Sequence, residues 1–320
     1  MTAVWQAALA LLLLATPCFA EAPYPNRQVR IIVPFPAGGS ADILCRIAGE
    51  RLSAAWGQPV IIDNRAGAGG NVGAEIAYRT EPDGYSVLCS PPGPLSINHN
   101  LYRTLPYDWA KFVPITVLAR VPNVITARID LSASGVQELI AYAKANPGKV
   151  TYASQGNGST SHLSAQMLAT MAGLSMVHVP YKGEGPALID LTAGRVDIFI
   201  GNISAALRFE KARQLKFLGL ASRTRSPVAP DVPTAEEIGL PDLVSSAWFA
   251  LVVPPGTPDA IAQKINRDAV AALRRPDVRG RFLELGAEPQ GDTTDATAAF
   301  IKAEEARWRS VIQSANVTLE

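Results

Sequence analysis

The sequence predicts an α/β protein, and three observations support this fold class. Short β-branched apolar runs at residues 29–33, 60–62 and 85–89 alternate with patterns of helical spacing. A loop rich in glycine follows the first and second of these runs and leads into the next helix. The same order of strand, loop and helix returns from residue 150 onwards. Such alternation is typical of a parallel sheet with helices on both faces.

Composition limits the number of domains and the kind of partner. The chain has 320 residues, of which 48% are hydrophobic and 18% charged, so it can bury one large core or two medium ones, and we expect two domains. Lys and Arg total 29 and Asp and Glu total 28. With no excess of either sign, the composition gives no support to nucleic acid or an anionic membrane as a partner.

The N-terminal segment differs from the rest of the chain. Residues 1–20 carry no charge and contain an Ala/Leu run at residues 7–15, which predicts a secretory signal cleaved near Ala20. No Lys or Arg stands near Met1, and lipid attachment at Cys18 is the alternative, although Pro17 fits it poorly. No other apolar stretch is long enough for a membrane helix, so we expect a soluble, exported protein located in the periplasm.

Cleavage would leave two cysteines, Cys45 in a helical pattern and Cys89 at the end of a strand. They have the oxidising compartment that a disulfide needs, but thiols with apolar neighbours are more often packed than bridged. We therefore expect two buried thiols and leave their pairing open.

Two loops are candidates for binding an anion. Residues 34–42 form a Pro/Gly turn after the first strand, with Ser40 at the N-cap position of the following helix. Residues 154–159 form a second loop between a strand and the helix predicted at residues 160–172. Free N–H groups at a helix N-terminus attract anions, so two such ends that face each other would form an acid-binding cleft.

Two extended stretches indicate where the chain passes between domains. The runs at residues 115–120 and 123–127 are separated only by Val121-Pro122, and a third extended run covers residues 245–254. We place the first crossover near Val121 and the second at residues 245–254. The prediction is a signal at 1–20, a first domain from 21–121 and 245–320, and a second domain from 122–244.

A series of short motifs in fixed order carries a family resemblance. The sequence resembles the solute-binding receptors of the tripartite tricarboxylate transporter family, also called the Bug family. The motifs are Tyr24-Pro25, P-F-P-A-G-G-S-A-D from Pro34, D-N-R-A-G-A-G-G-N-V-G from Asp63, L-P-Y-D ending at Asp108, F-V-P-I from Phe112, G-N-G-S-T-S-H-L from Gly156, V-P-Y-K-G from Val179, A-G-R-V-D ending at Asp197, and P-P-G-T-P from Pro254.

The resemblance implies a two-lobed periplasmic-binding-protein fold of type II, the Venus-flytrap arrangement, with two crossovers. It also implies a monomeric receptor without a cofactor, which captures a small carboxylated solute, an organic acid or amino acid, between its lobes. The partners would be the large and small integral-membrane subunits of a transporter, and no catalytic activity is expected.

The candidate ligand-binding residues come from the loops that follow the predicted strands. Main-chain groups of the first loop carry over from the family as contacts of a solute carboxylate, and Asp42 is expected to brace the first helical turn. The full set is Phe35, Ala37, Gly38, Gly39, Ser40, Asn71, Ser90, Gln155, Gly156, Gly158, Ser159, Thr160, Lys182, Asp197 and Asn202.

Four positions near the predicted cleft need a further remark. Lys182 can pair with a carboxylate or face solvent. Glu184 departs from the small or hydroxylated residue of the family, so it either faces water or selects a solute with a positive or donor group. Asp197 and Asn202 are assigned to the end of one strand, where ligands bind in open α/β sheets, but Asn202 replaces the family's usual acidic residue.

Other chemistries fit less well. The loop at residues 67–73 lacks the register of G-x-G-x-x-G, which disfavours a dinucleotide. Ser159 and His162 suggest a hydrolase, but the G-x-S-x-G spacing is absent, and His162 is expected to pack or orient its loop. His99 and His178 are the only other histidines, which disfavours a histidine metal site.

Two further functions of such a cleft are considered, and one of them remains open. A periplasmic sensory receptor that signals to a membrane kinase would have the same closed cleft, and the sequence does not separate it from a transport receptor. A cytoplasmic regulator is disfavoured because no helix-turn-helix region precedes the lobes. The solute can be a dicarboxylate, a tricarboxylate, an aromatic acid or an amino acid.

Overall fold

A computed structural model describes residues 24–314 and residue 317. The described residues form ten strands: β1 (Val29–Val33), β2 (Val60–Asn64), β3 (Ser86–Ser90), β4 (Val113–Arg128), β5 (Thr151–Ser154), β6 (Val177–Pro180), β7 (Ile198–Asn202), β8 (Leu215–Leu220), β9 (Ser246–Val253) and β10 (Glu288–Pro289). They also form nine α-helices: α1 (Ser40–Trp56), α2 (Asn71–Tyr78), α3 (Val136–Ala145), α4 (Thr160–Ala172), α5 (Glu184–Thr192), α6 (Ile203–Lys211), α7 (Asp259–Arg274), α8 (Pro276–Glu284) and α9 (Thr294–Ser314).

All ten strands belong to one sheet in the order β2-β1-β3-β9-β4-β7-β5-β6, with β8 and β10 paired to β4 off this path. The α/β fold class is confirmed, but the expected parallel sheet is only partly observed. Pairs β1/β2, β1/β3, β5/β6 and β5/β7 are parallel, whereas β9 and β4 add antiparallel pairs in the middle. The central strands are antiparallel because the chain returns to this region from distant segments rather than through a strand–helix–strand crossover.

Strand β4 is common to two groups of strands. Its residues 113–122 pair with β9, and its residues 123–128 pair with β7 and β8. We call β1, β2, β3, β9, β10 and residues 113–122 the first half of the sheet, and β5 to β8 with residues 123–128 the second half.

The sequence predicted two separate extended runs here, and the structure has a single strand. Pro122 does not interrupt it because Pro122 stands where the strand changes partners, opposite Ser246. The next residue, Asn123, already pairs with Asn202 of the second half, and its N–H donates to Ser245 O at 3.1 Å. A proline is tolerated in a strand at such an irregularity, where no ladder hydrogen bond depends on its missing N–H.

Parallel pairing places the loops of the predicted site at two matching edges. The carboxyl ends of β1, β2 and β3 meet at one edge of the first half, and those of β5, β6 and β7 meet at one edge of the second half. Loops at carboxyl ends are where open α/β sheets bind ligands. The two edges face each other across β4, as the contacts below show.

The core contains a disulfide that the sequence did not predict. Cys45 on α1 and Cys89 on β3 are bridged, with their Cα atoms 6.8 Å apart and 44 positions between them. Both residues are fully buried in the cluster that packs α1 against the sheet. The sequence predicted that both residues are buried and left their pairing open, because burial preference carries no information on which helix face lies over which strand.

Within the described residues, no helix combines the length and the apolar character that crossing a membrane requires. The signal sequence predicted at residues 1–20 lies outside the described residues.

Candidate functional site

The loop between β1 and α1 presents a free helix N-terminus. Gly38 has φ +84°, a conformation that favours glycine, and Gly39 is the extended N-cap of α1. The Asp42 carboxylate accepts from Gly38 N at 3.0 Å and braces the loop. The sequence predicted Ser40 as the N-cap, but in the structure Ser40 is the first residue of the helix. Its N–H has no acceptor within α1 and is available to another group.

The acceptor of this N–H is the side chain of Glu184, the first residue of α5. Glu184 Oε2 accepts from Ser40 N at 2.7 Å. Glu184 Oε1 accepts from Gln155 Nε2 at 2.8 Å and from Asn202 N at 3.3 Å. Ser204 Oγ in turn donates to Ser40 Oγ at 2.6 Å. One carboxylate thus collects donors from both halves of the sheet.

Glu184 does not face water, which removes one of the two alternatives that the sequence left open. The residue is only 6% exposed, because α1, the β5–α4 loop and the end of β7 surround it. Burial raises the pKa of its carboxyl group, and the donated hydrogen bonds act in the opposite direction.

A cavity lies beside this cluster, between the two halves. Its volume is about 230 Å³. Among the described residues that line it, Lys182 is the one cationic side chain, and it is exposed. The lining comes from five segments: Phe35; Gly67, Ala68, Gly69 and Gly70; Tyr102; Gln155, Gly156 and Asn157; and Pro180, Tyr181 and Lys182.

The two halves meet closely around this cavity. Tyr102 donates its hydroxyl to Asn157 O at 3.3 Å. A Cβ atom on Gly69 would lie 2.6 Å from Asn157 O, and one on Gly183 would lie 2.7 Å from Pro36 Cδ. Contacts this short require glycine, so the sequence is adapted to a closed arrangement of the two edges.

The second predicted anion site, at the start of α4, uses its polar groups internally. Ser159 Oγ donates to Gly156 O at 2.6 Å and accepts from His162 N at 3.3 Å, so it caps its own helix. Thr160 is buried, and its carbonyl accepts from Ser164 Oγ. The prediction that the Ser159 hydroxyl faces a solute is not supported, because capping already uses it.

The histidines of this region are structural. His162 accepts from Gly158 N at 3.4 Å through Nδ1 and stacks on His178 with ring centroids 4.3 Å apart. Burial lowers the pKa of His162 to about 3 and that of His178 to about 4. A buried, neutral imidazole that holds a loop N–H is unsuited to activating a serine.

Several other predicted residues support the cleft from behind. Asn71 Oδ1 accepts from Asn98 Nδ2 at 2.6 Å and from the Tyr107 hydroxyl at 2.8 Å, which fixes the start of α2. Ser90 is fully buried and donates to Pro91 O. Ala37 is exposed in the first loop.

Asp197 does not reach the site. It precedes β7, whereas Asn202 ends that strand, so the two residues lie about 17 Å apart along it. Asp197 instead accepts from Arg128 Nε at 2.9 Å and from Thr151 N at 2.8 Å. The sequence prediction was wrong because it treated both ends of β7 as one.

Tyr102, Asn157 and Ser204 also take part in the site, and sequence reasoning missed them. Tyr102 belongs to an irregular segment without periodicity, so no pattern indicated it. Ser204 stands two residues after Asn202 in the first turn of α6, a position that the anion-binding argument for helix N-termini would have indicated. Across the described part of the chain, no group of three or more His, Cys, Asp or Glu side chains is placed to hold a metal ion.

Comparison with known proteins decides the family. A family model described as "Tripartite tricarboxylate transporter family receptor" matches residues 44–317. The chain belongs to this family. A curated relative of this receptor family, BugT from Bordetella pertussis, is 37% identical over 309 residues, which are 96% of this chain and 94% of BugT.

Solved structures of similar proteins agree with this assignment. Rpa4515 of R. palustris with adipate is 37% identical, with a TM-score of 0.90 over 92% of this chain and 99% of that one. The periplasmic binding protein BugD is 32% identical, with a TM-score of 0.89 over 93% of this chain and all of the other. The fold is therefore that of the tripartite tricarboxylate transporter receptors, which are solute-binding proteins.

Proposed function

We propose that this receptor captures a small carboxylated solute in the cavity between the two halves of the sheet and delivers it to the membrane subunits of a tripartite transporter. The observation that carries the proposal is the cleft itself, in which donors from both halves converge on one carboxylate beside a cavity of about 230 Å³. This volume is below the roughly 300–1,000 Å³ of pockets for drug-sized ligands, so the solute is small.

The contacts of the solute come from the residues that line the cavity. Lys182 offers its ammonium group to the carboxylate, Gln155 and Asn157 offer amide groups, and Phe35 covers an apolar part of the solute. The main-chain N–H groups of residues 67–69 complete the set, because the N–H of Gly70 already donates to Gly67 O. Of the residues named from the sequence, Phe35, Gln155, Gly156 and Lys182 are therefore retained as contacts.

The two halves act as two lobes that open and close. Of the described residues, the first lobe comprises 24–122 and 245–314 and the second comprises 123–244, which is one residue from the boundary predicted at Val121. Hydrogen bonds join three passing segments at this boundary, from Asn123 N to Ser245 O, from Ser245 N to Ala221 O and from Ala221 N to Asn123 O. Small φ/ψ changes here would open the cleft without breaking the sheet on either side.

A thermal-shift screen tests the proposal. Purified protein is heated with mono-, di- and tricarboxylates, aromatic acids and amino acids. A solute that binds only the folded protein at about 100 times its Kd adds about 2.7 kcal/mol to the free energy of unfolding and raises Tm. A Lys182→Met variant, which keeps the length of the side chain without its charge, is expected to lose most of this response. A screen in which no acid raises Tm would contradict the proposal.

We further propose that the receptor acts as a monomer in the periplasm and has no catalytic activity. The Ser159 hydroxyl donates to Gly156 O rather than to an imidazole, which supports binding over hydrolysis. Incubation with ester substrates tests this, with Ser159→Ala as control, and turnover that Ser159→Ala abolishes would contradict it. The alternative is a sensory receptor, because closure could equally be read by a membrane kinase. Copurification of integral-membrane transporter subunits would decide for transport, and copurification of a kinase would decide for sensing.

A further inference from the structure

The Glu184 carboxyl group is hydrogen-bonded at both of its oxygens. Oε2 accepts from Ser40 N, and Oε1 accepts from Gln155 Nε2 and from Asn202 N. Burial raises the pKa of this carboxyl group, and the donated hydrogen bonds oppose that rise. The protein itself thus supplies the partners of Glu184, without a cationic group from a solute.

These donors form a carboxylate-binding site that combines several elements. Ser40 is the N-terminus of the 17-residue helix α1 in the first half. Gln155 follows β5 and Asn202 ends β7, both at the carboxyl edge of the second half. The residue that occupies the site, Glu184, is itself 6% exposed, and a Cβ atom on Gly39 would lie 3.3 Å from its Oε2. No room remains there for a second carboxylate.

The cavity next to the site shares one residue with it. Gln155 lines the cavity and also donates to Glu184 Oε1 at 2.8 Å. A solute in the cavity thus meets Lys182 as its cation and Gln155 as the residue that connects the cavity to Glu184. A second carboxylate on that solute would need the donors of Ser40, Gln155 and Asn202, which Glu184 already occupies.

We propose that Glu184 is the specificity-determining residue of this receptor, because its carboxylate occupies the position where a second solute carboxylate would bind. The proposal rests on the proposed function: the cavity holds a solute with one acidic group, and Glu184 excludes small dicarboxylates. Removing the side chain would free the donors of Ser40, Gln155 and Asn202 for a carboxylate from solution.

Chemical rescue tests the site without knowledge of the solute. Glu184→Ala is heated in sodium acetate and in sodium chloride at equal ionic strength, at neutral pH. We expect acetate to raise the Tm of Glu184→Ala clearly more than chloride does, and by clearly more than it raises the Tm of the wild type or of Glu236→Ala. Glu236 is a matched control because it is an exposed glutamate away from the cleft. If Glu184→Ala folds only in acetate, that result supports the proposal equally. Equal behaviour of the variant in both salts overturns it.

Calorimetric titration with succinate tests the specificity. We expect Glu184→Ser to bind succinate at least about tenfold more tightly than the wild type does. Glu184→Gln, which fills the same space without charge, should show no such gain, since it still blocks the position. The proposal is overturned if the wild type binds succinate as tightly as Glu184→Ser does. If the wild type binds no organic acid at all, the proposed function fails instead, and the acetate experiment still reports on Glu184 alone.

Discussion

The hydroxyl groups of Ser40 and Ser204 lie 2.6 Å apart, and this hydrogen bond joins helix α1 of the first half to helix α6 of the second. Both residues are at most 4% exposed. Each residue belongs to a different half, so the proposed opening of the cleft would break this bond. On that proposal, the bond stabilises the closed form.

Replacing Ser204 by alanine is expected to weaken solute binding. The loss of one buried hydrogen bond costs about 1 kcal/mol, so the affinity for the solute found by the screen should fall about fivefold. Calorimetric titration measures the effect. Ser96→Ala is the control, because Ser96 Oγ donates to Pro92 O within the first half and should leave the affinity unchanged. Equal losses in both variants would contradict the prediction.

Gly69→Ala is expected to prevent full closure. The added Cβ would stand 2.6 Å from the main-chain oxygen of Asn157, so the two halves must separate. We expect an affinity loss of at least about tenfold and a larger radius of gyration by X-ray scattering with solute present. Gly173→Ala separates closure from backbone strain: Gly173 has a similar φ of +64°, but a Cβ there meets no atom within 4 Å. If Gly173→Ala weakens binding as much, the closure argument fails.

The stacked pair His162 and His178 is expected to make the protein sensitive to acid. Burial lowers the pKa of His162 to about 3 and that of His178 to about 4, whereas a histidine in the unfolded chain has a pKa of about 6.5. Between pH 6.5 and these lower values, the unfolded chain therefore binds more protons than the folded protein does. The stabilisation is complete above that pH and is lost as the pH falls towards 4, by roughly 2–4 kcal/mol for the pair. Urea unfolding at several pH values measures the slope. His178→Gln, which cannot titrate, should give a shallower slope, and an unchanged slope would contradict the assignment.

Reduction of the Cys45–Cys89 disulfide is expected to lower stability without loss of the fold. The bridge closes a loop between residues 44 positions apart, and such cross-links contribute about 2–4 kcal/mol. Thermal unfolding with and without a thiol reductant measures the loss. A double variant with alanine at both positions should unfold at the reduced temperature and be insensitive to reductant. A Tm of the wild type that does not respond to complete reduction would refute the prediction.

Local patterns were sufficient for much of the fold. The predicted bounds of β1 (Val29–Val33) and α4 (Thr160–Ala172) agree with the structure. These elements have a clear apolar period and clear end signals, so the information lies within the element itself. The Pro/Gly loop before α1 was recognised for the same reason.

The relationships between distant segments were not accessible in this way. Glu184 reaches Ser40 over 144 positions, and nothing in the sequence around either residue indicates the partner. The Cys45–Cys89 bridge depends on the rotation of α1 over the sheet, which periodicity does not fix. Asp197 was wrongly assigned to the site because it precedes β7, whereas the site lies at the other end of that strand, at Asn202. Sequence patterns thus identified the loops of the site, while tertiary packing determined which groups are free to meet a solute.

The continuity of β4 has a consequence for how the molecule unfolds. Because one 16-residue strand supplies ladder partners to both lobes, neither lobe retains an intact sheet when the other melts. Calorimetry should therefore record a single cooperative transition in spite of the bilobal shape. Fragments cut at the boundary should not fold separately, so we expect this receptor to fold as one cooperative unit.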